Sequence, residues 1–205
     1  MASAEELLKS VSAWQSGHFL LSSGLHSSEY MQCQRILQYP EHGQLLASEL
    51  AKKIIAAGIR PQVVVGPALG AVHLEVFVAI ALNNLLAKDN GAQVRAVFAE
   101  RAEDGINFAI RRGIELGQGE RVLVVEDVTT TGGSAKRVVE LVLKLGAEPV
   151  GVAAIVDRSG GLAQFNLPFI KLISLDIQNF DSASCPMCQE GSTAIEPGSS
   201  KKQDK

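Results

Sequence analysis

No run of about 18 apolar residues occurs in the chain, so nothing in it predicts a helix that crosses a bilayer. Basic residues do not dominate. Nineteen Lys and Arg stand against 22 Asp and Glu, for a net charge of −3. That balance argues against a broad nucleic-acid-binding face and leaves room for a small anion held by a few local groups. Cysteine is scarce and odd in number: Cys33, Cys185 and Cys188. The opening "MASAEELLKSVSAWQSG" has neither the basic region nor the apolar block of a secretory leader. Reduced thiols in a cytoplasm are therefore the expectation, not a disulfide framework. Two common phosphate motifs are also missing. Lys136 falls in the wrong place for a Gly-x-x-x-x-Gly-Lys-Ser/Thr loop, and no Gly-x-Gly-x-x-Gly follows a strand, since "GQG" at 117–119 precedes one. No internal repeat is present. What is there is a chain of 205 residues, 46% hydrophobic and 20% charged. That suits one domain with a full core of its own.

The middle of the chain alternates strand and helix signals. "QLLASELAKKIIAAG" (44–58) has helical apolar spacing and stops at Gly58. "QVVVG" (62–66) reads as a buried strand, and "AVHLEVFVAIALNNLLA" (71–87) as a helix packed on two sides. Further strands are expected at 92–99, 121–127, 149–157 and 169–175, with a helix from Ser134 to Leu145. Strands separated by helices imply parallel pairing, and continuously apolar strands imply a sheet covered on both faces. The expected fold is α/β, an open parallel sheet flanked by helices. Ligands in such folds sit at the carboxyl ends of the strands. Those ends are 66–71, 99–101, 126–134 and 157–161, and each carries Gly, charged or hydroxyl residues. Residues 1–40 lack this alternation and are expected to cap a core of 41–180, making one domain over 1–180. Residues 181–205 are rich in Ser, Gly, Pro, Gln and Lys and read as a tail with a disordered end. The segment 100–120 is long, charged and Gly-punctuated, as functional or mobile connections are.

The most informative stretch is "RVLVVEDVTTTGGS" (121–134). Gly132, Gly133 and Ser134 follow a strand and open a helix, where free amide N–H groups and a partial positive charge favour a phosphate. Thr129, Thr130, Thr131 and Ser134 add hydroxyls. Glu126 and Asp127, just before, would repel a bare phosphate. Paired acids instead accept hydrogen bonds from vicinal hydroxyls or help to hold Mg²⁺. A ligand with a phosphate at one end and a diol a few ångströms away, such as ribose 5-phosphate, satisfies both halves. The bland alternative, a capped helix after a buried strand, accounts for the acids alone but not for the whole succession.

"VLVVEDVTTTGGSA" resembles the phosphoribosyl-pyrophosphate (PRPP) signature of type I phosphoribosyltransferases. Within that family the chain resembles the orotate phosphoribosyltransferases over nearly its whole length, with "GHFLLSSGLHSSEYMQ" (17–32), "VVVGPALGAV" (63–72), "FAERAEDG" (98–105) and "VDRSGG" (156–161) in support, and it is "FLLSSGLHS" and "DRSGG" that narrow it to orotate. The resemblance implies a type I fold with a small N-terminal hood, PRPP and orotate as substrates, Mg²⁺ as cofactor held mainly by PRPP, and a homodimer sharing its loops. It implies that Glu126 and Asp127 contact the ribose hydroxyls and that Val128, Thr129, Thr130, Thr131, Gly132, Gly133 and Ser134 hold the 5-phosphate. Thr130 and Arg158 align with orotate contacts, the latter through its planar fork on the carboxylate. Pro67, Ala68 and Gly70 align with the pyrophosphate loop, where many relatives carry a lysine in place of Gly70. Residues 98–113 align with the mobile catalytic loop, with Arg101 the candidate pyrophosphate contact beside Arg111 and Arg112. Asp127 and Arg101 are the residues to which catalysis is assigned. Ser22, Ser23 and Gly24 match the stretch over the orotate ring, and His26 and Tyr30 lie nearby.

Cys185-Pro-Met-Cys188 supplies two ligands where zinc takes four, so Cys33 or a histidine would have to complete a site. The pair could also be a redox couple. The favoured reading is a tail segment packed against the domain. Two rival functions stand beside the main one: a phosphoribosyltransferase for another base, and a non-catalytic nucleotide-binding regulator on the same fold. Neither a nucleic-acid nor a membrane partner is expected.

Overall fold

The chain enters through α1 (Ala4–Ser10), whose start is a capping box: Ser3 Oγ accepts from the Glu6 N–H while the Glu6 carboxylate accepts from the Ser3 N–H. Then come β1 (Trp14–Leu20), β2 (His26–Met31) and α2 (Gln34–Leu37), followed by α3 (Pro40–Ala56). From there strand and helix alternate: β3 (Val63–Pro67), α4 (Val72–Leu86), β4 (Arg95–Arg101), β5 (Phe108–Ala109), β6 (Arg121–Thr129), α5 (Gly133–Lys144), β7 (Glu148–Asp157) and β8 (Phe169–Ser174). A two-residue β9 (Asn179–Phe180), a 3₁₀ turn (Ser182–Ser184) and α6 (Pro186–Gln189) follow. The computed structural model of the protein describes residues 3–21, 23–87 and 93–197.

The large sheet has the order β5-β4-β3-β6-β7-β8. β3, β4, β6, β7 and β8 are parallel, and only the short edge strand β5 runs antiparallel, as a hairpin on β4. Alternation along each strand sorts the core into two layers. Val64, Leu123, Val125 and Ile155 face α3 and α4, packing on Leu46, Leu50, Ile54, Leu74 and Leu82. Val63, Val65, Val122, Val124 and Val152 face α5 through Val138 and Val142. Both faces are dry, which is why these strands read as unbroken apolar runs. Truncating a fully buried Leu such as Leu123 to Ala would cost about 2–5 kcal/mol.

The topology also places the site. From β3 the chain steps outward to β4, then returns to add β6 on β3's other side. The strand order reverses between β3 and β6, and in open sheets the ligand crevice opens at such a point.

The described residues before α3 build a small hood. β1 and β2 pair antiparallel, and β9 adds to β2 through His26↔Phe180 and Ser27↔Asn179. Residues 181–197 belong to the segment expected as a tail. They close back on the hood: the Ile195 N–H donates to His18 O and Ile195 O accepts from the Leu20 N–H. The expected disordered end, 198–205, lies outside the described residues.

Candidate active site at the β3–β6 switch point

β6 runs two residues further than the expected 121–127, because Val128 and Thr129 continue the ladder opposite Val156 and Asp157. Glu126 and Asp127 are therefore strand residues, rigidly aimed, not loop residues. Thr130 and Thr131 are exposed in the turn that follows, and Gly132 takes φ +76° to enter α5. A Cβ at Gly132 would lie 3.0 Å from the Phe165 ring, so that position needs glycine for its space as well as its backbone. Gly132 has no side chain to cap α5, and in its first turn the Gly133 N–H donates to Thr131 Oγ1 at 3.4 Å. The result is a cup of about 60 Å³ lined by Glu126 and by Val128 through Ala135.

The acids at its rim are half-buried, with Glu126 Oε2 itself enclosed. Burial first and the Asp127 carboxylate second push the Glu126 carboxyl from 4.5 up to about 9, while Arg101 pulls it partly back. Burial also raises Asp127, against the pull of the Val128 N–H, which donates to its Oδ1 at 2.8 Å. Among the described residues, four buried side-chain N or O atoms have no hydrogen-bond partner, and three are Glu126 Oε2, Thr129 Oγ1 and Arg158 Nε. A buried polar atom without a partner costs free energy unless something arrives to satisfy it. All three sit at the carboxyl ends of β6 and β7.

Arg158 follows β7, and its N–H donates to Thr129 O at 2.7 Å, fixing the ends of the two strands together. Its guanidinium makes no ion pair with Asp157 or Glu126. Asp157 is paired with Lys171 instead. Arg158 NH2 reaches the hood, donating to Ser27 Oγ and Glu29 O, each at 3.3 Å. Tyr30 packs on Phe19, ring centroids 5.7 Å apart, and His26 turns into the hood interior beside His18. Ser23 and Gly24 form the β1–β2 turn, and Ser22 lies outside the described residues.

Pro67, Ala68 and Gly70 make the turn from β3 into α4, with a cis peptide at Ala68–Leu69. A Cβ at Gly70 would lie 3.1 Å from Asp127 Oδ1, so this loop backbone passes directly over the second acid. Gln34 of α2 ties it down by donating to Gly70 O. Behind the loop lies a residue that the apolar reading of α4 overlooked. Glu75 is buried, and its Oε2 accepts from the Gly66 N–H at 2.9 Å. Burial raises its carboxyl to about 8, the Gly66 bond pulling the other way. A lone acid within "VFVAIAL"-type apolar sequence was the available signal.

Residues 98–113 are a hairpin on the sheet edge. Arg101 stacks on Phe108, 4.7 Å from CZ to the ring centroid, and bonds to the Gly105 and Ile106 carbonyls of the tip. Arg112 pairs with Glu100, while Arg111 is exposed. A recess of about 440 Å³ lies between this hairpin and the β3–α4 turn, lined by Ala68, Leu69, Val72, Phe98, Glu100, Arg101 and Arg112. The structure thus gathers Asp127, Gly70 and the 126–134 cup into one crevice, and sets two arginines beside the loop that lacks a lysine.

Comparison with known proteins agrees with this arrangement. Residues 34–184 match the family model described as "Phosphoribosyl transferase domain". The orotate phosphoribosyltransferase of Caldanaerobacter subterraneus subsp. tengcongensis is 46% identical over 196 residues, 96% of each chain. That of Thermotoga maritima is 45% identical over 95% of this chain and 97% of its own. Among solved structures, the orotate phosphoribosyltransferase of Mycobacterium tuberculosis H37Rv in complex with inorganic phosphate superposes with a TM-score of 0.64 at 28% identity, covering 84% of this chain and 95% of that one. The Aeropyrum pernix orotate phosphoribosyltransferase gives 0.65 at 27% identity, covering 84% and 93%. With the acid pair and the glycine-rich cup at one strand end, and these relatives over nearly the whole chain, the chain belongs to the phosphoribosyltransferases and, among them, to the orotate phosphoribosyltransferase family.

Proposed function

We propose that the protein transfers the phosphoribosyl group of PRPP to orotate, giving orotidine 5′-phosphate and pyrophosphate, the step that commits orotate to UMP. The observation that carries this is the set of unsatisfied buried atoms at the ends of β6 and β7. Glu126 Oε2 can accept from a ribose hydroxyl, and Arg158 Nε can donate to an orotate carboxylate. Between them the 128–134 cup takes the 5-phosphate on backbone N–H groups and hydroxyls. Thr130 stands between phosphate and base.

No enzyme nucleophile is needed. Positive charge develops at the ribose C1 as pyrophosphate leaves, as in other oxocarbenium-like displacements. Asp127 and Glu126 lie beside the sugar and hold its hydroxyls in place, and positive charge arriving there favours the ionised form of acids that burial otherwise keeps protonated. The recess beside Pro67, Ala68 and Gly70 receives the pyrophosphate, with Arg101 as its cation and Arg112 beside it. A Mg²⁺ arriving on PRPP would neutralise the leaving group. The donor set suits it, since Glu126 and Asp127 offer hard oxygen ligands and Glu126 Oε2 is unpartnered. The 98–113 hairpin excludes water when it folds over the sugar, and in a homodimer it reaches the partner's crevice. With these substrates the place of work is the cytoplasm.

The test is direct. Orotate absorbance falls when PRPP and Mg²⁺ are added to the purified protein, and adenine, hypoxanthine or uracil does not replace orotate. No change with any base would favour a nucleotide-binding regulator, and turnover of another base would reassign the specificity. Asp127→Asn should cut turnover and ribose binding together. Wild-type turnover in that variant would remove Asp127 from its role.

A further inference from the structure

Four side chains far apart in sequence meet inside the hood, away from the β3–β6 crevice. His18 is on β1, His26 on β2, Cys185 caps α6 and Cys188 lies within it. Their ligand atoms all fall within 4.8 Å of one another. Cys185 is 0% exposed, His18 6% and His26 8%. We infer that His18 Nε2, His26 Nδ1, Cys185 Sγ and Cys188 Sγ form a tetrahedral zinc site that staples the C-terminal segment to the hood.

The distances fit that ion. Zinc bonds of about 2.0 Å to nitrogen and 2.3 Å to sulfur give tetrahedron edges of about 3.3 Å for N···N and about 3.5 Å for S···N. Cys185 Sγ lies 3.5 Å from His18 Nε2, and Cys188 Sγ lies 3.7 Å from His18 Nε2 and 3.3 Å from His26 Nδ1. The His18 Nε2 to His26 Nδ1 separation of 2.8 Å falls furthest below the ideal edge. Both imidazoles aim a nitrogen at the thiols, and His18 steadies its other nitrogen, Nδ1, against Ser192 Oγ at 3.1 Å. Such an outer partner fixes the orientation of a liganding histidine. Two cysteines and two histidines select zinc over the harder Mg²⁺. On binding, both thiols become thiolates and two protons pass to solvent.

The reason for a staple is visible in the layers. The hood is a three-stranded sheet whose third strand, β9, has two residues, too few to be stable on pairing alone. The metal closes it by joining β1, β2 and α6. The Cys pair sits in a segment packed on the hood, and the two further ligands are histidines some 160 positions away.

Elemental analysis of full-length protein purified without chelator should find about one zinc per chain. Cobalt(II) added to metal-stripped protein should give thiolate-to-cobalt charge-transfer bands and the intense red-region bands of tetrahedral cobalt, both displaced by zinc. The Cys185→Ser/Cys188→Ser variant should lose both zinc and bands. His26→Ala, which keeps the two thiols, should weaken zinc binding at least about tenfold. Less than about a tenth of an equivalent of zinc, with no cobalt bands on titration, would overturn the site. So would a Cys185–Cys188 disulfide in freshly isolated protein, which would make the pair a redox couple. Neither readout depends on turnover, so the site stands or falls apart from the proposed reaction.

Discussion

Replacing Glu126 by Gln isolates the conflict built into the crevice. The side chain keeps its size but loses its charge. In the wild type the carboxyl ionises near 4.5 when unfolded and at about 9 when folded. Between those values the unfolded chain has released its proton and the folded chain has not, so stability falls as pH rises through that window and levels off above it. At about 1.4 kcal/mol per pH unit the cost at pH 8 reaches up to about 5 kcal/mol. If half of this survives local relaxation, E126Q should melt roughly 5–10 °C above wild type at pH 8. At pH 4, where both states hold the proton, the two should melt together. The same variant should bind PRPP more weakly, because a neutral amide is a poorer acceptor for a ribose hydroxyl and a weaker ligand for a cation than a carboxylate. Thermal melts at both pH values, with and without PRPP, make the assay. An E126Q protein no more stable at pH 8, or shifted equally at both, would refute the claim that the folded chain stores a desolvated acid there for its ligand.

Three other outcomes follow from single contacts. Glu75→Leu removes the acceptor of the buried Gly66 N–H and should cost about 1–3 kcal/mol in urea unfolding. Glu75→Gln, which can still accept, should approach or exceed wild-type stability above pH 8, where the folded acid must also ionise. Gly132→Ala must hold φ +76° with a Cβ against Phe165, so it should lose about 1–2 kcal/mol and weaken inorganic phosphate binding by calorimetry. Arg158→Lys, lacking the planar fork, should raise the KM for orotate about tenfold while leaving that for PRPP nearly unchanged in steady-state kinetics.

The sheet was legible because its strands are buried on both faces, so their apolar runs stand out in the sequence. Boundaries slipped where pairing, not hydrophobicity, sets them: β6 continues to Thr129 because Asp157 lies opposite. β5 was invisible, being two residues long and defined only by its pairing with β4. The hood strands "WQSGHFL" and "HSSEYM" carry too little alternation to be seen. α1 had a readable signal, Ser3 followed three residues later by Glu6. The 126–134 cup could be read because its parts are contiguous. The orientation of Arg158 toward Ser27 and Glu29, the acid behind Gly66, and the histidines facing Cys185 and Cys188 could not. Each joins residues that only the folded chain brings together.

The pairing of Ser27 with Asn179 carries a consequence for the order in which the protein is made. On the ribosome β2 emerges early but has no third strand until some 150 further residues have followed. By then every strand of the large sheet is out of the tunnel. The core, with its mostly nearest-neighbour βαβ connections, can close first, and the hood must wait for the end of synthesis. Since Ser27 and Glu29 hold Arg158, a nascent chain closes the 126–134 cup before it fixes the Arg158 guanidinium.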